Sequence, residues 1–252
     1  MNARADAGIE PVTGSRAQPW DGMVTQRLVA ALQGAIVGVD TTEPIVALTF
    51  DDGPHPEYTP QLLSLLDRHD ARATFFLVGE AAARSPTLVR EIAARGHVVG
   101  NHSWSHPSFT MISSPERRRE LQRCETVLAP HAAPLFRPPY GDHSRATRRD
   151  AHWCGHVVVG WSLDVHDWCE GDRDTLVNAL ENGIRPGGIV LLHDAIHDLG
   201  APTVGPVVTR PAILDRRIML NALDAVLGRL SARFRFVTLP ELLRAGSVIT
   251  QT

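Results

Sequence analysis

Hydrophobic and polar residues follow two patterns along the chain, and each pattern predicts one kind of secondary structure. Short continuous apolar runs, rich in β-branched and aromatic residues, are typical of strands buried on both faces of a sheet. Seven of them predict strands at 45–50, 73–78, 97–100, 135–136, 156–161, 188–192 and 234–237. A helix or a long loop follows each run, and this alternation predicts a parallel sheet with helical crossovers.

Apolar residues at helical spacing predict the helices between these strands. The leucines at positions 62, 63, 65 and 66 form one such stripe, and Pro86 marks the first turn of another helix. The predicted helices cover 60–69, 86–94, 114–128, 144–150, 174–182, 214–230 and 239–244, with a short helix at 24–32 after a polar tail at 1–20. At 252 residues, one large α/β domain is the simplest organisation.

An open, doubly wound sheet is the alternative to a barrel for this pattern of elements. That fold binds nucleotides through a glycine-rich loop, and the chain has no GxGxxG or GxxxxGK sequence. The absence of a phosphate-binding loop therefore favours the barrel.

The composition excludes several classes of function. The net charge is -3, and the basic run at 117–119 is too short for a nucleic-acid interface, so it predicts a solvated helix surface. The chain contains no lysine, which excludes Schiff-base and lysine-nucleophile chemistry. Its three cysteines are odd in number and lack CxxC spacing, which argues against a disulfide framework.

The amino terminus lacks the features of a targeting segment. Residues 1–21 are polar and rich in alanine, glycine and proline. The apolar stretch at 28–39 is too short to span a bilayer and lies too far along the chain for a signal peptide. We therefore expect a soluble, cytoplasmic protein without a membrane span.

Polar residues with chemical potential collect in five short segments at the carboxyl ends of predicted strands. The segments are TFDDGP at 49–54, HSWSH at 102–106, RPPYG at 137–141, DVHDW at 164–168 and LLH at 191–193. Parallel α/β folds place their active sites at these strand ends, because the strands all open onto the same face. The five segments are therefore predicted to form one site.

The histidines of the second segment predict a metal site. His102 and His106 have the i,i+4 spacing that places two imidazoles on one face of a helical turn. Asp51 and Asp52 are neighbours on an extended strand, so their carboxylates point to opposite sides and need different partners. One carboxylate with two histidines suits zinc, cobalt, nickel or iron, with zinc as the default, and leaves positions open for water and substrate.

The remaining polar residues supply the parts of an amide hydrolase. The carboxylate that does not bind metal can take a proton from water. His193 is the candidate proton donor to the leaving amine, with a core histidine as the alternative, and Asp167 can orient its imidazole. Arg137 can fix the base and lower its pKa, while the backbone N–H of Tyr140 can bind an oxyanion.

Together, the five segments resemble the signature of the NodB-homology polysaccharide deacetylases, carbohydrate esterase family 4. The resemblance extends over residues 43–245 and implies an α/β fold, a single-domain distorted (β/α)7 barrel. It places a catalytic domain at 43–245, between an N-terminal tail and short helix at 1–42 and a C-terminal tail at 246–252. It also implies removal of N- or O-acetyl groups from chitin-like, peptidoglycan or other acylated sugars.

The resemblance also implies a role for each matching residue. The catalytic residues it implies are Asp51 as base, His193 as acid, Asp167, Arg137 and Tyr140. The metal ligands it implies are Asp52, His102 and His106, holding a divalent ion that is zinc by default, with cobalt or nickel possible. The substrate-binding residues it implies are Pro138, Tyr140, Trp168 and Leu191.

The expected substrate is a soluble acylated oligosaccharide or biosynthetic intermediate. Aromatic residues make up 6% of the chain, which disfavours a long stacking platform, although Trp104, Trp161 and Trp168 could serve one or two sugar rings. A C–N hydrolase of a non-sugar amide would share every motif. A catalytically inactive binding module would have lost Asp51 or a metal ligand, and none is lost.

Three further histidines and one long loop have no role assigned by these motifs. The loop at 194–217 is longer than the resemblance leads us to expect, and it includes His197. His143 and His166 lie beside motifs. These residues either tune substrate choice or are solvated loop residues, and the sequence does not predict an oligomeric state.

Overall fold

The computed structural model describes residues 34–197 and 214–252. The predicted polar tail at 1–20 and short helix at 24–32 lie outside these residues, as does most of the loop at 194–217. The described strands are β1 (Ala35–Asp40), β2 (Ile45–Asp51), β3 (Thr74–Leu77), β4 (Val98–Asn101), β5 (Ala132–Phe136), β6 (Val157–Val158), β7 (Leu163–Asp164), β8 (Ile189–His193), β9 (Arg235–Val237) and β10 (Ser247–Gln251). The described helices are α1 (Tyr58–Arg68), α2 (Gly79–Arg84), α3 (Pro86–Ala94), α4 (Ser114–Leu128), α5 (Arg145–Trp153), α6 (Arg173–Gly183), α7 (Arg217–Leu230) and α8 (Leu239–Arg244).

A curled parallel sheet forms the centre of the fold. Its strand order is β6-β5-β4-β3-β2-β8-β7, and β9 pairs with the first half of β2. Every pairing in this sheet is parallel. The predicted α/β class and distorted (β/α)7 barrel are therefore confirmed. All seven predicted strand regions contain a strand of this sheet.

Helices cover the outside of the sheet and form the main hydrophobic core with it. Leu62 and Leu66 of α1 pack with Leu223 and Leu227 of α7 in one cluster, and all four are fully buried. Leu48 of β2, a strand whose residues are all buried, belongs to the same cluster. The helical stripes read from the sequence thus fix the helices on the barrel wall. None of the helices in the described residues is long and apolar enough to cross a membrane.

Two strands lie in regions that the sequence predicts to be tails. β1 and β10 pair antiparallel, with Ala35 opposite Gln251 and Asp40 opposite Ser247. β1 also crosses the open side of the sheet, since Gly160 N–H donates to Ile36 O at 2.8 Å. These residues are therefore strands of the folded body. Local sequence patterns do not predict these strands, because their pairing joins segments that lie far apart in the chain.

Candidate active site

The end of β2 sends two neighbouring carboxylates in different directions. Asp51 is the last residue of this fully buried strand, and Asp52 follows it with a left-handed φ of 74°. This backbone turn adds to the alternation of side chains along a strand. Asp51 consequently meets Arg137, whereas Asp52 meets the two histidines of the second segment.

Arg137 is a fully buried cation that holds Asp51. Its Nη1 donates to Asp51 Oδ1 at 2.8 Å and to Thr49 Oγ1 at 2.7 Å, and its Nη2 donates to Gly160 O at 2.7 Å. The guanidinium carbon lies 4.3 Å from the ring centroid of Phe76. Burial lowers the pKa of Arg137, while the charge and hydrogen bond of Asp51 oppose that change. The result is an oriented carboxylate in a site with little water.

The segment that carries His102 and His106 is a loop, and the predicted helical turn is wrong. Ser103 and His106 have positive φ values of 68° and 59°, which no right-handed helix allows. Asn101 Oδ1 accepts from Ser103 N–H at 2.9 Å, and Ser103 Oγ accepts from His106 N–H at 3.0 Å. These side-chain bonds to the backbone replace the helical ones.

Asp52, His102 and His106 nevertheless converge. One ligand atom from each lies within 4.8 Å of the others, and all three residues are buried. His102 Nε2 is 3.4 Å and His106 Nε2 is 3.1 Å from Asp52 Oδ1. His102 Nδ1 donates to Arg137 O at 2.7 Å, which holds the ring with Nε2 on the side of Asp52.

The chemistry of this cluster fits a divalent cation. Asp52 Oδ1 is buried and has no hydrogen-bond partner among the described residues, although it faces two imidazole nitrogens. Burial raises the pKa of Asp52, but the nearby His106 and His102 outweigh burial and hold that pKa well below its usual range. An ionised carboxylate oxygen beside two imidazoles is a donor set that zinc accepts.

His193 and Asp167 form a second charged unit at the end of β8. His193 Nδ1 donates to Asp167 Oδ1 at 2.8 Å, and His193 N–H donates to Asp167 Oδ2 at 2.9 Å. Burial lowers the pKa of His193, but the charge of Asp167 outweighs burial and raises that pKa to about 9. His193 lies opposite Asp51 in the pairing of β2 with β8. The two charged units are thus brought to the same end of adjacent strands.

Arg216 also belongs to this unit, although no sequence motif predicts it. It is 2% exposed and forms an ion pair with Asp167 Oδ2 through Nη2. Its Nη1 donates to Asp167 O at 3.0 Å, and its Nε donates to His193 O at 3.1 Å. No sequence signal separates it from the exposed Arg217 beside it, since it lies outside the five segments.

Asp194 is a second residue that the sequence analysis missed. It is fully buried, and Thr59 Oγ1 donates to its Oδ2. Its Oδ1 contacts the position that a side chain at residue 53 would occupy, so only a glycine fits there. Burial raises the pKa of Asp194 to about 7. This carboxyl therefore packs under Gly53, next to the Asp51–Asp52 turn.

The predicted substrate residues lie around the charged groups. Tyr140 has a φ of 60° in the turn at Pro139–Gly141, is 48% exposed, and stands edge-on to His106 with ring centroids 4.7 Å apart. Pro138 precedes that turn, Leu191 is buried in β8 two residues before His193, and Trp168 directly follows Asp167. Tyr140 thus contacts the metal cluster, and the other three residues lie close to site residues along the chain.

Two of the tryptophans considered as sugar platforms have structural contacts. Trp104 packs against Gly79, and the guanidinium carbon of Arg123 lies 3.7 Å from the centroid of its ring. The Trp161 ring packs against Gly141, so a side chain at residue 141 would collide with the ring. Trp168 differs from these two, since its nearest ring partner among the described residues is His166, with centroids 6.2 Å apart.

The additional histidines occupy different positions. His197 N–H donates to Asp52 Oδ2 at 3.1 Å, and its ring centroid is 5.9 Å from that of His106. His143 Nδ1 donates to Gly141 O at 3.0 Å, which fixes the ring beside the Tyr140 turn. His166 is exposed, with its N–H bonded to Asp164 Oδ1 at 2.7 Å. His197 is therefore the one that contacts a predicted metal ligand.

Known proteins resemble this chain in sequence and in fold. Residues 38–159 match the family model described as polysaccharide deacetylase. A peptidoglycan-N-acetylglucosamine deacetylase of Bacillus cereus is 36% identical over 205 residues, which cover 80% of this chain and 69% of that protein. A chitooligosaccharide deacetylase of Sinorhizobium fredii is 39% identical over 158 residues, 61% of this chain and 74% of that protein.

A solved structure supports the same grouping. The crystal structure of the Bc1960 peptidoglycan N-acetylglucosamine deacetylase superimposes with a TM-score of 0.73 at 32% identity and covers 87% of this chain and 97% of that one. A parallel barrel with these segments at its strand ends defines a hydrolase of the deacetylase class. The chain belongs to the polysaccharide deacetylase family, carbohydrate esterase family 4.

Proposed function

We propose that this protein removes the N-acetyl group from N-acetylglucosamine units of a glycan. The observation that carries the proposal is the meeting of three charged units, Asp52 with two histidines, Asp51 with Arg137, and His193 with Asp167. A base and an acid beside a metal cluster suit hydrolysis of an amide. The relatives are deacetylases of peptidoglycan N-acetylglucosamine and of chitooligosaccharides, which supports the choice of sugar.

Asp52, His102 and His106 would hold the metal ion, zinc by default, with cobalt or nickel as alternatives. Such an ion, when bound, supplies a Lewis acid that polarises the acetyl carbonyl and acidifies water. His102 is oriented for this role, because its Nδ1–H donates to Arg137 O and its Nε2 lies 3.4 Å from Asp52 Oδ1.

Asp51 is the proposed base. Its Oδ2 lies 3.7 Å from His102 Nε2, so the carboxylate borders the ligand cluster without replacing Asp52. It takes one proton from the attacking water as the new C–O bond forms. Arg137 fixes the direction of the carboxylate through the 2.8 Å bond to Oδ1. The backbone N–H of Tyr140 is the proposed donor to the developing oxyanion.

His193 is the proposed acid. Asp167 accepts its Nδ1–H, so the proton for the leaving nitrogen is the one on Nε2. That proton passes to the amine as the C–N bond breaks, which yields acetate and a free amino sugar. Exchange with solvent then restores the protonated His193 and the ionised Asp51. Pro138, Tyr140, Trp168 and Leu191 are proposed to contact the acetyl group and the sugar.

The proposal is tested with a panel of acetylated compounds. The zinc-loaded protein is incubated with chitooligosaccharides, peptidoglycan glycan strands and N-acetyl amino acids, and acetate release and product mass are measured. We expect acetate from the N-acetylglucosamine compounds and little from the amino acids. Turnover of N-acetyl amino acids alone would favour a non-sugar amide hydrolase, and turnover of soluble oligomers alone would favour the soluble substrate predicted from composition.

The pH profile should depend on Asp167. In Asp167→Asn, His193 loses the charge that raises its pKa, while the burial that lowers it remains. Because the acid must be protonated, the alkaline limb of kcat/KM is expected to move to lower pH. Activity should therefore fall more at pH 8 than at pH 6. Complete loss of the general acid would lower the rate by about 10²–10⁴. An unchanged alkaline limb in a folded variant would contradict the assignment of His193.

A further inference from the structure

Arg216 joins the two segments that make up the acid unit. Its three nitrogens contact three different acceptors, namely the carboxylate and carbonyl of Asp167 and the carbonyl of His193. Asp167 follows β7, and His193 is the last residue of β8. The Arg216 side chain therefore bridges two segments that lie at the ends of different strands.

Both oxygens of the Asp167 carboxylate accept hydrogen bonds, and Arg216 contacts Oδ2. Oδ1 accepts only from the His193 imidazole, at 2.8 Å, among the described residues. Oδ2 accepts from the His193 backbone and from Arg216. The Asp167 side chain is completely buried, so water does not substitute for a missing donor. The His193 N–H and Arg216 together fix Oδ2, and with it the plane of the carboxylate that orients the imidazole.

Arg216 is itself held by rigid structure. It is the residue before α7, whose Met219 and Leu220 are buried in the main core. Its neighbour Asp215 shares a side-chain hydrogen bond with Tyr58 of α1. The guanidinium thus approaches the acid unit from a fixed helix end, which suits a group that positions others.

From this geometry we propose that Arg216 is a positioning residue for the acid step of deacetylation. It fixes Asp167 and the His193 backbone, so that the His193 Nε2 proton meets the leaving nitrogen. The inference rests on the proposed function, since it concerns the same site. It adds a residue that lies outside the five motif segments and contacts no predicted metal ligand in the described structure.

The leaving group separates this role from a purely structural one. An amine is a poor leaving group and needs a proton as the C–N bond breaks, whereas 4-nitrophenolate leaves an aryl acetate without one. By Brønsted behaviour, damage to the acid slows the amide reaction far more than the ester reaction. Damage to the fold, the metal cluster or Asp51 slows both reactions alike.

The experiment compares Arg216→Gln with wild type on chitooligosaccharide and on 4-nitrophenyl acetate, using zinc-loaded protein of the full sequence. We expect kcat for the amide to fall about 10- to 100-fold, the range seen when a group that orients a functional side chain at a metal site is removed. KM for the amide and turnover of the ester should change less than about threefold, because a group that orients the acid affects only the step that needs its proton. Arg217→Gln is the matched control, because Arg217 is exposed and pairs with Asp215, and both activities should stay at wild-type values.

Arg216→Lys covers the case in which the glutamine variant does not fold. Lysine keeps the charge but cannot reach three acceptors with one planar fork, so a smaller loss with the same substrate dependence is expected. An equal loss on amide and ester, or no loss, in a folded and zinc-loaded variant of either kind would overturn the proposal. His193→Ala is the reference, and if it slows both substrates equally, the proposed acid itself is wrong, whatever Arg216 does.

Discussion

Asp51→Asn is expected to lower kcat for amide hydrolysis by at least about 10²–10⁴, the usual contribution of a general base. Asparagine keeps the size of the side chain and can still accept from Arg137, but it cannot take a proton from water. The metal cluster should survive, because Asp52 binds the histidines and Asp51 contacts Arg137. Zinc content and kcat are measured on the same preparation.

The control for this variant is the same substitution at an exposed site. Asp174 is 79% exposed in its side chain and pairs with Arg173 on the surface, so Asp174→Asn should leave turnover unchanged. Near wild-type activity in Asp51→Asn would show that another group takes the proton. Loss of zinc together with activity would show that Asp51 is a ligand.

Metal removal is expected to have an effect of similar size. EDTA should inactivate the protein, and added zinc or cobalt should restore it, since Asp52 and two histidines supply the binding site. His102→Ala should lose both zinc and turnover by more than about 100-fold, because loss of a group that merely orients a ligand already costs about 10- to 100-fold. Zinc content, kcat and thermal unfolding are the measurements.

Unfolding provides a readout that does not depend on turnover. A ligand at 100 times its Kd stabilises the folded state by about 2.7 kcal/mol, so EDTA should lower the Tm of wild type. His152→Ala is the control, because His152 is an exposed residue at the end of α5, and its Tm should still respond to zinc. Activity that is indifferent to EDTA would contradict the metal site.

The parallel fold and the convergence of the site residues could be predicted because both follow from the alternation of strands and helices along the chain. Parallel strands open onto one face, so residues that end different strands must meet there. The helices at Pro86–Ala94, Ser114–Leu128 and Leu239–Arg244 match their predicted bounds, since each begins with a proline or a cap in its first turn. The bounds of these helices could be predicted because hydrophobic periodicity and helix-capping residues are local features of the sequence.

The features that were missed depend on contacts between distant segments. The loop at 102–106 has helical ligand spacing, but side-chain bonds from Asn101 and Ser103 decide its backbone. The pairing of β1 with β10 joins residues more than two hundred positions apart. Arg216 gains its place from a helix end that lies next to β8. The roles of individual site residues and the cytoplasmic location stay predictions.

Arg137 serves both halves of the proposed chemistry through different atoms. Its guanidinium holds Asp51, whereas its backbone carbonyl orients His102. Every amino acid has a carbonyl, so a point mutation at this position would remove the first contact and spare the second. Under the proposed roles, a lineage carrying such a change would lose turnover while keeping its metal ligands and substrate contacts, and this single codon is thus a short evolutionary route from an enzyme to a lectin-like descendant.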